Sequence, residues 1–139
     1  INLDSLLVGD KLYFNSGSNT PDAVAHQTRD HALAIAHRYG INATSQPLDK
    51  PANPFDRAGF PLLSVRAANW QLGNQDGEQQ RSKSPHFPQG ISRHQTERDN
   101  LSYIDRWLPG RIALRSRDSV KILLPLITRL ANPPEKKEP

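Results

Sequence analysis

The stretch NTPDAVAHQTRDHALAIAHRYG (residues 19–40) is the clearest predicted element of the chain, and it decides the fold class. Asn19 or Thr20 can cap a helix, and Pro21 suits the first helical position. Gly40 stands where a helix end favours a left-handed residue. Spacings of three and four residues predict one buried stripe, which consists of Val24, Thr28, Ala32, Ile35 and Tyr39.

Short apolar runs on both sides of this helix predict β-strands. Ile1 to Leu3 is predicted to be the end of a buried strand that Asp4 closes. Lys11 to Phe14 suits a second strand, and Pro61 to Ala67 a further buried one. The segment from Ile41 to Arg57 is rich in Pro, Asn and Asp, which predicts a loop.

Two helices are predicted near the C-terminus. A short helix covers Leu101 to Leu108, with Asp99 or Asn100 as its cap, and a long helix covers about Arg111 to Ala131. The buried face predicted for the long helix consists of Ile112, Ser116, Val120, Leu123, Ile127 and Leu130. Strands alternating with helices predict an α/β layered domain over residues 1–131, followed by a frayed tail over residues 132–139.

Composition limits the classes of protein that fit the chain. With 139 residues, of which 35% are hydrophobic, it suits one domain with a modest core. No apolar run approaches the roughly 20 residues of a membrane span. The formal net charge is +4, but the Arg residues are scattered, so we expect no nucleic-acid partner. Cysteine is absent, which excludes a disulfide framework and thiol chemistry.

The elements are too few for a complete doubly wound sheet. The chain also starts at Ile1 and contains no Met. These features predict that the chain is part of a longer polypeptide whose upstream half is missing here.

The long polar segment from Asn69 to Asn100 predicts a functional loop, because loops of this length inside a domain are uncommon. His94 is its best candidate for a working group, since imidazole is a good zinc ligand. Asp4, at the carboxyl end of a predicted strand, is a second candidate. On the residues alone, a turn-forming Asp and a surface His are the favoured interpretations, by roughly two to one.

Three further histidines lie on the first long helix. His26 and His37 lie about three turns apart, too far to bind one metal ion. The five residues from His26 to His31 are a poor spacing for shared ligands in an α-helix. All three are therefore predicted to be solvated helix residues.

Nearly the whole chain resembles the C-terminal half of the co-catalytic di-zinc aminopeptidases. The similar strings occur in the same order along the chain: INLD (residues 1–4), VGDKLYFNSG (8–17), TRD (28–30), ALAIA (32–36), LSV (63–65), NW (69–70), LGN (72–74), DG (76–77), QQR (79–81) and LPGRI (108–112). The resemblance implies a mixed β-sheet flanked by helices. It also implies a site with two zinc ions.

The resemblance assigns roles to particular residues. Asp4 would bind one zinc ion and His94 the other, with Asp99 completing the pattern around His94. The family's other ligands and its general-base Glu lie upstream of Ile1, so this chain alone should not hold the complete centre. The loop from Ile41 to Arg57 is shorter than in the family and has no Cys.

The resemblance implies a periplasmic or secreted zinc aminopeptidase that works on peptide or protein substrates. Water activated by zinc would remove the N-terminal residue, and the missing N-terminal half of the same domain would be required. The alternative is a truncated or degenerate relative that acts as a non-catalytic binding or structural domain.

Overall fold

A mixed β-sheet lies at the centre of the computed structural model, which describes residues 1–4, 6–7, 9, 11–45, 53–68 and 100–135. Within these residues the sheet has four strands in the order β1-β4-β2-β3. Their bounds are Asn2–Asp4 for β1, Lys11–Ser16 for β2, Ala43–Thr44 for β3 and Leu63–Ala68 for β4. Together with the flanking helices, this sheet confirms the predicted α/β class.

The pairing of β2 with β4 is the longest in the sheet. These strands run antiparallel, from Lys11 opposite Ala68 to Ser16 opposite Leu63. β1 pairs with β4 in parallel, and β3 pairs with β2 in parallel. Because β1 lies at the edge, Leu3 and Asp4 are exposed, and the prediction of a buried first strand is wrong.

The first long helical segment contains a π-helical turn that the sequence did not predict. It consists of α1 (Asp22–Ala25), a π turn (His26–Asp30) and α2 (His31–Arg38). The Thr28 hydroxyl donates to the Val24 carbonyl inside this segment at 2.7 Å.

The end of α2 confirms the predicted role of Gly40. This residue has φ +66°, and its N–H donates to the His37 carbonyl at 3.1 Å. The Ile41 N–H donates to the Ala36 carbonyl at 2.9 Å. This pair of bonds is a Schellman motif, which satisfies carbonyl groups at the helix end.

The start of α1 differs from the prediction. Pro21 occupies the capping position, without a side-chain hydrogen bond to the helix. Thr20 Oγ1 instead accepts from the Leu62 N–H at 2.8 Å and donates to the Leu62 carbonyl at 3.2 Å. The Asn19 amide donates to the Asp56 carbonyl at 2.6 Å. Both residues that were predicted to cap the helix therefore bond to the segment before β4, and these bonds hold the start of the helix against that segment.

Most of the stripe predicted for this helix is buried. Thr28, Ala32 and Ile35 are buried as expected, and Val24 is half-buried. Tyr39 is exposed, because it follows the last residue of α2, and the Lys121 ammonium lies 5.6 Å from the centre of its ring.

The predicted loop between α2 and β4 contains regular structure. Besides β3, it includes the short helix α3 (Pro54–Arg57), whose N-terminus is capped by the Asn53 side chain accepting from the Phe55 N–H at 2.8 Å. The prediction of a loop throughout residues 41–57 is therefore wrong for the residues of this segment that the structure describes.

The C-terminal helices have nearly the predicted bounds. α4 spans Leu101–Trp107, and the Asn100 side chain caps it by accepting from the Tyr103 N–H at 2.8 Å. α5 spans Arg111–Ala131. Residues 132–135 lie outside this helix, which ends at Ala131. The division into a domain over residues 1–131 and a tail over residues 132–139 stays a prediction.

The buried face of α5 agrees with the predicted one only at Leu123. Its buried residues are Arg115, Asp118, Ser119, Ile122, Leu123 and Leu126. The predicted Val120, Ile127 and Leu130 are exposed. Arg115 and Asp118 are buried as an ion pair with 3.0 Å between Nη2 and Oδ2, which offsets the cost of placing polar groups on this face.

The hydrophobic core lies between one face of the sheet and helices α2 and α5. Its buried residues are Leu12, Phe14, Ala32, Ile35, Ala36, Leu63, Val65, Ala67, Ile122, Leu123 and Leu126. Alternation along β4 therefore directs Ser64 and Arg66 to the opposite face of the sheet.

A close contact between Gly17 and Asp56 fixes the turn after β2. The Ser18 hydroxyl donates to Asp56 Oδ2 at 2.7 Å, and this bond lowers the pKa of the Asp56 carboxyl. The Gly17 N–H donates to the Leu62 carbonyl at 2.9 Å. A Cβ atom on Gly17 would overlap Asp56 Oδ1.

We expect Gly17→Ala to lower the free energy of unfolding by about 1 kcal/mol or more, because the new methyl group displaces the Asp56 carboxylate. Denaturant unfolding measures the change. In an Asp56→Ala background the same substitution should cost less, since the overlapping oxygen is gone. Equal costs in the two backgrounds would contradict this contact.

Candidate functional site

Asp4 lies at the carboxyl end of β1, as the sequence predicted. β1 and β4 are parallel, so their carboxyl ends meet at the same edge of the sheet, where ligands bind in open α/β folds. The Asp4 side chain is exposed at this edge. It is therefore accessible to a ligand.

Asp4 belongs to a row of residues that crosses the sheet. It is in register with Arg66 of β4, which is in register with Tyr13 of β2, which is in register with Thr44 of β3. Residues in register share one face of a sheet, and this face is the one opposite to α2 and α5. The row therefore places a cationic side chain between a carboxylate and a phenol.

The described residues supply one of the predicted zinc ligands. A carboxylate oxygen is an established zinc donor, and zinc sites in proteins use at least three protein ligands. In the part of the chain that the structure describes, no three His, Asp or Glu residues are placed to hold a metal ion. Asp4 fits a metal site as a single ligand that needs others.

The other predicted site residues lie outside the described ranges. These are His94 and Asp99, together with the remaining polar segment that ends at residue 99. The pairing of Asp4 with His94 across a metal centre therefore stays a prediction.

A second feature is a cleft beside the π turn. It has a volume of about 200 Å³ and is lined by His26, Gln27, Asp30, His31, Ala34 and Arg129. Sequence reasoning treated the spacing of His26 and His31 as that of an α-helix. Because a π turn holds more residues per turn, both imidazoles line the same cleft.

His26 and His37 are exposed, which confirms the prediction that they are solvated. His31 departs from it. This residue is half-buried, and Arg129 Nη1 lies 3.1 Å from its Nδ1 and 3.2 Å from its Nε2. An atom at nearly equal distances from both ring nitrogens cannot lie in the ring plane without overlapping Cε1. Nη1 of Arg129 therefore lies over the face of the imidazole.

The charges around the cleft suit a neutral His31. Burial, and then the charges of Arg129, Arg38 and His26, lower the pKa of His31 below its ordinary 6.5. Asp30 lies on the same turn, where the hydrogen bond from Arg29 Nε at 2.8 Å lowers the pKa of its carboxyl. The cleft thus lies between the C-terminal end of α5, which carries Arg129, and the π turn, which carries Asp30.

The chain is 55% identical to the alkaline phosphatase isozyme conversion protein of Escherichia coli (strain K12) over 142 residues. The alignment covers 94% of this chain and 41% of that protein. The similarity extends over nearly the whole chain, as predicted, and its coverage is consistent with a C-terminal portion of this relative. The chain thus spans about two-fifths of the length of this relative.

No protein-family model matches the chain, and no solved structure matches it. Among the described helices, none combines the length and apolar character that crossing a membrane requires.

The contact between His31 and Arg129 is predicted to be sensitive to acid. The folded pKa of His31 is lower than the unfolded value, so the unfolded chain binds more protons as the pH falls below 6.5. The stabilisation is complete above that pH and is lost as the pH falls through the folded pKa. We expect His31→Gln to reduce the loss of thermal stability between pH 7 and pH 5, measured by circular dichroism.

His37→Gln is the matched control, because His37 is exposed on the same helix. It should leave the pH dependence of the wild type unchanged. A His31→Gln variant with the wild-type pH dependence would show that the contact between His31 and Arg129 does not respond to protonation.

Proposed function

We propose that this chain is the C-terminal part of a zinc-dependent aminopeptidase that releases N-terminal amino acids from peptides or proteins. The observation that carries the proposal is the 55% identity with the alkaline phosphatase isozyme conversion protein over 94% of the chain. Removal of terminal residues is one way to convert one isozyme of a protein into another. This reaction agrees with the family resemblance of the sequence.

The position of Asp4 supports the proposal. This carboxylate is exposed at the carboxyl end of a parallel strand pair, where the backbone of β1 fixes its position. One carboxylate oxygen would bind a zinc ion. The ligand set would be completed by His94 for the second ion and by residues outside this chain.

Bound zinc would lower the pKa of a water molecule and polarise the peptide carbonyl. The residues of this chain would contribute geometry. β4 holds β1 in place, and the β2–β4 ladder holds β4, so the backbone of Asp4 would not need to move when the metal binds. Arg66, in register with Asp4, places a guanidinium on the same face of the sheet as this carboxylate.

The substrate is proposed to be a peptide or a protein, in a periplasmic or secreted setting. The general base and the remaining metal ligands are proposed to come from the upstream half of the same domain. The isolated chain is therefore proposed to be inactive without that half.

The test uses a longer protein in which the chain is joined to the upstream half. We expect this protein to bind zinc and to cleave aminoacyl-anilides. Asp4→Ala and His94→Ala should each lower kcat/KM by about 100-fold or more, because losing even an outer-shell partner costs about 10- to 100-fold. Metal analysis should show a smaller zinc content in both variants.

His37→Ala is the control, because it removes an exposed imidazole from α2. It should retain zinc and activity. A longer protein that binds no zinc and cleaves no aminoacyl-anilide would contradict the proposal, and it would favour a non-catalytic binding or structural domain.

A further inference from the structure

One side of α5 is apolar, uncharged and exposed. The α5 flank, as we name it, consists of Ser116, Val120, Leu124, Ile127 and Leu130. Val120 is 59% exposed, Leu124 64% and Ile127 47%. This is close to the stripe that the sequence predicted to be buried. The helix thus has two apolar sides, of which the core covers one.

The α5 flank faces away from α2. Arg129 and Lys121, which contact His31 and Tyr39 at the two ends of α2, lie on the other side of the helix. In the sheet, α2 contacts β3, at the end of the strand order opposite to β1. The α5 flank is therefore directed towards the side where β1 forms the edge.

β1 has an exposed apolar residue on the same side. Leu3 is in register with Val65, which belongs to the core, so both side chains lie on the face that carries α5. Leu3 is 50% exposed, whereas Val65 is buried. The apolar layer between the sheet and the helices thus continues past β4. It ends at Leu3 of β1 and at the α5 flank, and both are exposed.

We infer that this side is an interface that receives a further strand beside β1 and a helix against the α5 flank. The proposed occupant is the remaining part of an aminopeptidase-like protein, which corresponds to the part of the Escherichia coli relative outside the alignment. Its identity rests on the proposed function and on the 41% coverage of the Escherichia coli relative. Permanent interfaces of this kind resemble a domain core that has been divided.

The chemistry of the α5 flank favours this occupant over an anionic lipid surface. Helices that lie on membranes carry Lys and Arg along the border of their apolar face and bind anionic headgroups. The α5 flank itself has no charged residue, and Lys121 and Arg129 are directed towards α2. One cation, Arg117, borders the flank beside Leu124, and its Nε lies 3.7 Å from the Asp118 carboxylate. Lipid tails also provide no hydrogen-bonding groups for the edge of a strand.

The experiment co-expresses the full 139-residue chain with the unmatched part of the Escherichia coli relative as a separate polypeptide. We expect a one-to-one complex, measured by native mass spectrometry without added zinc. Val120→Glu and Ile127→Glu should each weaken the complex by about tenfold or more, because each places a charge in an apolar interface.

Leu114→Glu is the matched control, since it places the same charge at an exposed leucine of α5 outside the flank. It should change the dissociation constant by less than about twofold. Circular dichroism of each variant should show an unchanged fold. Amide exchange at residues 2–4 should slow in the wild-type complex, which tests the strand edge independently of any substitution.

Four results would overturn the inference. The first is that no complex forms, and the second is a complex that forms equally well with the flank variants. The third is a dimer of this chain alone that the flank variants dissociate, which would make a second copy the occupant. The fourth is binding to phosphatidylserine vesicles that the flank variants abolish. A complex that depends on the flank but binds no zinc would refute the proposed function and leave the interface standing.

Discussion

The antiparallel pairing of β2 with β4 is the constraint on which the rest of the structure depends. It runs the whole length of both strands, and each strand carries one shorter strand in parallel on its other side. The same pairing aligns Phe14 with Val65, which places the apolar residues of both strands on the face that α2 and α5 cover. The pairing of β2 with β4 therefore determines both the composition of the core and, through β1, the position of Asp4.

The two faces and the two edges of the sheet have different roles. The face with α2 and α5 provides stability through apolar burial, and the opposite face carries the row from Asp4 through Arg66 to Tyr13. At the edge formed by β1, the proposed metal ligand Asp4 lies on one face of the sheet, and the exposed Leu3 lies on the face that carries α5. An interface there would join the remaining metal ligands to Asp4, so docking and completion of the site would be one event.

Local signals in the sequence predicted the local features of the fold. The left-handed Gly40, the Asn100 cap and the bounds of α5 follow from backbone chemistry within a few residues. Tertiary contacts decided the rest. Thr20 bonds to Leu62 and does not cap the helix, and the buried face of α5 includes the Arg115–Asp118 pair because the helix has apolar residues on two sides. The π turn at residues 26–30 has no signal in the spacing of apolar residues.

Of the candidate site, Asp4 was predicted at a strand end from the INLD string and lies there, whereas His94 lies outside the described residues. The most direct test of the central claim is a crystal structure of the chain together with its upstream half, with anomalous diffraction data collected at the zinc edge. The claim predicts two anomalous peaks, one about 2.0–2.2 Å from an Asp4 carboxylate oxygen and one about 2.0–2.1 Å from a His94 ring nitrogen. An Asp4 carboxylate with no metal within bonding distance, in a protein that contains zinc, would contradict it.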